Sequence, residues 1–177
     1  KLICCDSFFN KPGIYEVDMC TPMKKIINEI GGGFKEPIKA LQIGGPLGGV
    51  VPIKEVEKLN LDFQEFTAAG FMLGHAGIVS IPKDFNMVGY IHHLFEFSAE
   101  ESCGKCFPGR LGSYRGKEMF DQAINKSKKI PLKLLNELLV TMKKGSLCAL
   151  CGAIPVPIMN ILKYFSDEMK SDIVQEN

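Results

Sequence analysis

The sequence predicts an α+β chain: a small mixed sheet carrying one helix, followed by a bundle of four helices. Three observations carry this. The first half alternates short apolar runs with Gly and Pro, the second half changes to a helical apolar period, and 46% apolar against 23% charged residues in a 177-residue chain is enough to bury a core.

The strand readings are Gly13-Ile14-Tyr15-Glu16-Val17, Ala40-Leu41-Gln42-Ile43, Val50-Val51-Pro52-Ile53 and Gly77-Ile78-Val79-Ser80-Ile81. Cys4 and Cys5 begin another extended run and fall on opposite faces of it. Between the first two strands, the segment Thr21 to Ile30 reads as a helix, with Thr21 as N-cap, Pro22 at the first helical position and Gly31-Gly32-Gly33 as the stop. The longest uncharged stretch, Phe66 to Pro82, is interrupted by Gly70, Gly74 and Gly77 and is too short to span a bilayer; it reads as buried strand and turn.

From Asp84, placed to cap it, Met87, Val88, Ile91, Leu94 and Phe95 form one helical stripe. Met119, Phe120, Ala123 and Ile124 form a second, and Leu135, Leu138, Leu139 and Met142 a third, opened by Pro131 and closed by Lys143, Lys144 and Gly145. Ile158, Ile161, Leu162, Phe165 and Met169 form the fourth, and short connections between the four predict a small bundle. The change of period places the domain boundary between 1–83 and 84–177.

Charge excludes one class of partner. With 21 Lys+Arg against 20 Asp+Glu the formal charge is +1, and no basic stripe marks a nucleic-acid surface. The N-terminus has neither an initiator methionine nor the apolar core of a secretion signal, and reads as part of something longer. Seven cysteines, odd in number and uneven in spacing, argue against a secreted disulfide scaffold and for a reducing, cytoplasmic compartment.

Four of those cysteines form the strongest chemical signal. Cys103 with Cys106, and Cys148 with Cys151, are two C-x-x-C pairs in predicted loops. A tight turn at this spacing turns both thiolates toward one metal and points amide N–H groups at the sulfurs. The stretch 107–147 between the pairs can run out and back as two helices, returning the second pair to the first. Four sulfurs suit Zn²⁺ or an iron–sulfur cluster equally by ligand type. A zinc ribbon separates its knuckles by roughly fifteen to twenty residues of hairpin, whereas this separator is longer and helical. The bland alternative is that the cysteines are inert buried packing residues.

Other candidates carry less. Gly44, Gly45, Gly48 and Gly49 lead into Val50-Val51-Pro52, so no helix N-terminus follows to bind a phosphate, and a tight turn is the better reading. His92 and His93 diverge by roughly 100° on a helix and cannot share a site. His75 sits among small residues as a turn histidine, and Cys20 is a packing residue. Glu100 and Glu101 read as a solvated helix end. Lys105 and Arg110 flank the first cysteine pair and would offset the charge of a thiolate cluster. No Ser–His–Asp or Cys–His arrangement can be assembled from chain order.

The stretch "ESCGKCFPGRLG" from Glu101, "GSLCAL" from Gly145 and Pro155-Val156 before a last helix resemble the iron–sulfur end of the flavoprotein, NADH-oxidising subunit of respiratory complex I. NAD(P)-reducing hydrogenases and NAD-linked formate dehydrogenases share the likeness. Upstream, "KPGIYEV", "QIGGPLGGVVP" and "LDFQEFTAAGFMLGHAGIVSIP" resemble the same family's soluble-ligand-binding β-grasp domain, which makes 1–83 a β-grasp-like domain and 84–177 the helical iron–sulfur domain. The resemblance implies a [4Fe–4S] cluster, with FMN and NAD(P)H bound only on an absent upstream domain or partner.

Two departures follow. The family pattern is C-x-x-C-x-x-C with a distant fourth cysteine; Cys103, Cys106 and Cys148 match, but the third ligand position is Gly109. Cys151 stands where the family has glycine. The expectation is that Cys151 replaces the missing ligand, against a three-ligand cluster with an open iron, a zinc ion or an empty remnant.

The function expected is an electron-transfer module, not catalytic alone, that accepts electrons from a flavin on a separate domain or subunit. Its partners are then that flavin-bearing domain and other iron–sulfur subunits, with no membrane insertion of its own, although the parent complex could lie against a membrane. The alternative is a ligand- or subunit-binding scaffold with structural zinc or a lost cluster. A self-sufficient oxidoreductase needs a flavin or nicotinamide site, and none is visible.

Overall fold

The computed structural model describes residues 1–174 and divides into two compact units, Lys1–Phe85 and Asn86–Asn177. In the first, five strands form one mixed sheet: β1 (Leu2–Cys5), β2 (Gly13–Glu16), β3 (Ile38–Ile43), β4 (Gly49–Pro52) and β5 (Gly77–Pro82), in the order β2-β1-β5-β3-β4. Only β1 and β5 pair in parallel. Alternation along β1 buries Ile3 and Cys5 and exposes Leu2 and Cys4, as a half-buried strand requires. The Asp6 carboxylate ties β1 to β5 by accepting the backbone N–H and the hydroxyl of Ser80 at 2.5 and 3.0 Å.

Residues Gly44 to Gly48 turn β3 into β4. Gly44 has φ +100, and a side chain there would collide with the Leu73 carbonyl 2.3 Å from its first carbon, so only glycine fits. The chain continues into a strand and presents no helix to a phosphate.

Helical content in this unit exceeds the one helix expected. The first segment is a short α1 (Met23–Lys25) running directly into a π-helical turn, Ile26–Ile30, and Gly31 ends it. Thr21 does not cap it: Pro22 holds the N-cap position, and the Thr21 hydroxyl donates to the Asp18 carbonyl at 2.7 Å. Two further helices, α2 (Ile53–Val56) and α3 (Phe63–Ala68), are too short to show a helical period in sequence. The Asp62 carboxylate starts α3 by accepting the N–H groups of Gln64 and Glu65, both at 2.9 Å. The uncharged stretch from Phe66 therefore begins inside a helix.

The second unit is built on α4 (Met87–Glu101), α5 (Phe107–Ile124), α6 (Leu132–Gly145) and α8 (Pro155–Tyr164), with a short α7 (Ala149–Ala153) before α8. Two short strands, β6 (Ile130–Pro131) and β7 (Ile173–Val174), pair in parallel. Asn86, not Asp84, caps α4, its side chain accepting from the Gly89 N–H at 2.8 Å. The predicted stripes are the inward faces; Leu138, Leu162 and Phe165 at their margins are half-buried, and Ile124 is exposed. Helices α4 and α5 approach closely because Gly116 has no side chain: a carbon there would lie 2.2 Å from the Phe95 ring. No helix among the described residues is long and apolar enough to cross a membrane.

Candidate metal centre

Cys103 and Cys106 lie in the loop between α4 and α5, as expected, whereas the second pair departs from the loop expectation by starting a helix. Cys106 is the N-cap of α5 and Cys148 the N-cap of α7, while Cys151 lies inside α7. Cys148 and Cys151 are therefore three apart at a helix start, on one face of it. Gly104, at φ +72, lets the chain turn between Cys103 and Cys106.

The two pairs meet. A carbon added at Gly145 would lie 3.0 Å from the Pro108 ring, so the end of α6 sits against the start of α5. The backbone N–H of Leu147 reaches the Cys106 sulfur; it is the largest influence holding that thiol below its ordinary range, followed by the Gly109 N–H and opposed by burial. The Ser146 hydroxyl also favours the Cys106 thiolate. That hydroxyl oxygen is buried with no hydrogen-bond partner of good geometry. An orphaned donor beside a thiolate marks a pocket built for sulfur acceptors.

Gly109 is the centre of the arrangement. A side-chain carbon built on it would meet the Cys106 sulfur, the Cys151 sulfur and the Cys151 β-carbon, each at 3.0 Å. The two sulfurs are thus separated by no more than twice that distance. Cys151 occupies the space that a side chain at 109 would need. A side chain at 109 and the cysteine at 151 crowd one another, and this chain carries glycine at the first position and cysteine at the second.

Cys151 is only 2% exposed. Three serines surround its sulfur: Ser98, Ser113 and Ser102, each with its oxygen 3.9 Å away. Sequence reasoning missed all three, because Ser98 and Ser113 interrupt apolar helix faces where only packing was legible. Cys103 and Cys148 are exposed. No group of three or more His, Cys, Asp or Glu side chains among the described residues is gathered tightly enough to hold a single metal ion. Among the described residues the donors are thiols, two of them sharing one pocket and two exposed, with N–H and O–H groups near the sulfurs, a set that suits an iron–sulfur core.

The remaining candidates have other surroundings, except that Arg110 lies against Gly104 of the first cysteine turn. Glu100 and Glu101 are exposed at the end of α4. The His92 Nε2 pairs with Asp121 at 2.7 Å, and the His75 Nδ1 accepts the Gly77 N–H at 3.0 Å. Arg110 lies over the Phe107 ring, 5.2 Å from its centre. In the first unit, Cys5 is buried and its thiol is pushed up to about 11, burial being the main cause. That is the behaviour of a packing residue.

Residues 89–172 match the family described as NADH-ubiquinone oxidoreductase-F iron-sulfur binding region. Among curated proteins, the chain is 32% identical over 91% of its length to the NADP-reducing hydrogenase subunit HndC of Solidesulfovibrio fructosivorans, covering 33% of that protein. It is 32% identical over 98% of its length to the F subunit of NADH-quinone oxidoreductase from Rickettsia bellii, covering 42%. The chain thus spans less than half the length of the curated relatives it matches. Its fold is that of part of an NAD⁺-reducing [NiFe]-hydrogenase in the H₂-reduced state, with a TM-score of 0.86 over all of this chain and 30% of that one, at 20% identity. Residues 89–172 are thus similar to the NADH-ubiquinone oxidoreductase-F iron-sulfur binding region, and the chain as a whole resembles the flavoprotein NADH-oxidising subunit of respiratory complex I and the NAD(P)-reducing hydrogenases.

Proposed function

We propose that the chain is the electron-transfer module of an NAD(P)H-linked oxidoreductase and that Cys103, Cys106, Cys148 and Cys151 hold its [4Fe–4S] cluster. When bound, the cluster supplies single-electron relay between a flavin on another domain or subunit and the next acceptor. The observation that carries this reading is the shared approach of the Cys106 and Cys151 sulfurs to the bare α-carbon of Gly109, which supports Cys151 as the ligand in place of the family's third cysteine.

The chain's own residues do the rest. Leu147 and Gly109 direct N–H groups at Cys106 and lower its thiol from the ordinary range, which favours a metal-binding sulfur. Lys105 and Arg110 set positive charge beside the thiolates. Phe107 and Leu147, 69% and 83% exposed next to Cys106 and Cys148, leave an apolar rim that supports a neighbouring flavin-bearing or iron–sulfur subunit covering the centre. We read 1–83 as a β-grasp-like ligand- or subunit-binding domain, since its one mixed sheet packs against short helices, and 84–177 as a four-helix iron–sulfur bundle. Seven cysteines, odd in number and uneven in spacing, support a reducing, cytoplasmic setting.

Anaerobic purification tests the reading. The protein is expected to be brown and to bleach with dithionite, and to reduce no dye with NADH unless a flavin-bearing partner is added. A colourless protein containing zinc overturns it.

A further inference from the structure

The sulfur of Cys151 is met by hydroxyls where that of Cys106 is met by backbone N–H groups. Ser98 comes from α4, Ser113 from α5 and Ser102 from the turn after α4, each oxygen standing 3.9 Å from the sulfur. Ser98 and Ser113 are fully buried. Three side chains from separate elements converging on one buried sulfur is more than helix packing needs.

Proton accounting separates their roles, because a serine hydroxyl has a single proton to donate. Ser113 donates to the Gly109 carbonyl at 2.6 Å, so its proton is committed and it fixes the first turns of α5. Ser98, 3.0 Å from the Ser113 oxygen, is then the donor of that contact, and reaches the sulfur by exchanging it for a bond to Cys151. Ser102 accepts the Gly104 N–H at 3.3 Å, which leaves its own proton free. A neutral Cys151 thiol donates to Ser102. A metal-bound sulfur has no proton and only accepts, so Ser98 and Ser102 are the two hydroxyls able to turn toward it.

We propose that Ser98 and Ser102 act as positioning residues that donate hydrogen bonds to the cluster-bound sulfur of Cys151 and raise the reduction potential of the centre. The inference rests on Cys151 being a ligand. Reduction adds negative charge to the cluster and its thiolates, and an O–H dipole aimed at sulfur stabilises the more negative state. Removing either donor therefore disfavours reduction.

The test is a redox titration of the anaerobically purified full chain, followed by electron paramagnetic resonance, for the wild type, Ser98→Ala, Ser102→Ala and their combination. Iron content is measured alongside. Each single variant is expected to keep its iron and visible spectrum while its reduction equilibrium shifts several-fold toward the oxidised form. A tenfold shift corresponds to about 59 mV for one electron, and the double variant shifts further. Midpoints unchanged in both single variants, with iron retained, overturn the inference and leave the Cys151 assignment standing. Cys151→Ser with full iron and an unaltered spectrum overturns the assignment itself. Should Ser98→Ala fail to fold, Ser102→Ala, in a partly exposed turn, decides alone: an unchanged midpoint there defeats the proposal.

Discussion

A single carbon at Gly109 would press on two sulfurs at once, 3.0 Å from each. Gly109→Ala is therefore expected to displace Cys151 and to lower iron content sharply, with a stability loss of about 1–3 kcal/mol from overpacking. The exchange of positions gives a stricter check. Gly109→Cys alone crowds the pocket, whereas Gly109→Cys combined with Cys151→Gly restores one sulfur in one space, and the double variant should regain the iron that the single variant loses. Iron and sulfide assays read both. The cysteines themselves were legible from spacing and resemblance. Their relation through Gly109 was not, because the close approach of residues 109 and 151 joins elements far apart in sequence.

At the scale of elements, α4 and α5 meet at Gly116 and along a small polar network. Gly116→Ala forces its new carbon into the buried Phe95 ring, which also stacks on Phe120 with ring centres 5.8 Å apart. We expect a loss of about 1–3 kcal/mol in urea unfolding. On the outer face, Asp121 accepts from the His92 Nε2 at 2.7 Å and from the Lys117 ammonium at 3.3 Å, and Lys117 also reaches Glu96. Burial alone would raise the Asp121 carboxyl, but the bonds from His92 and then Lys117 outweigh it and hold the group low. A depressed carboxyl contributes stability above its unfolded value, about 3.9, and loses it as pH falls through the folded one. Because Asp121 is 44% exposed, screening keeps the contribution to about 0.2–1 kcal/mol. Between about pH 5 and pH 3, the urea midpoint of Asp121→Asn should fall less than that of the wild type. Long elements with a sustained period, such as α4 to α6 and the strands β3 and β5, could be read from sequence. The helices α2 and α3 could not, since four and six residues are fewer than two turns and leave no repeat of the period to read, and Asp62 acts as a cap only once the chain has turned. Caps misled in the same way: Asp84 and Thr21 have the right chemistry, but Asn86 and Pro22 hold the positions.

Across the whole molecule, sequence texture separated a strand-rich half from a helical one, and Cα packing divides the chain at Phe85. What texture could not give is the assembly of a site from four elements: the turn after α4, the start of α5, the end of α6 and α7. Helix lengths between Cys106 and Cys148 determine whether the pairs approach, and the Cys106 and Cys151 sulfurs at Gly109 bring one cysteine of each pair together. The serines at 98, 102 and 113 belong to the same class of features, since each is an ordinary helix or turn residue until the fold brings it to Cys151. The most direct measurement is iron and acid-labile sulfide per chain, after anaerobic purification, for the wild type and for Ser variants of Cys103, Cys106, Cys148 and Cys151 taken singly. Four iron and four sulfide in the wild type, with a marked loss in every variant including Cys151→Ser, is the expected result; full iron in Cys151→Ser beside its loss in Cys103→Ser would contradict the account.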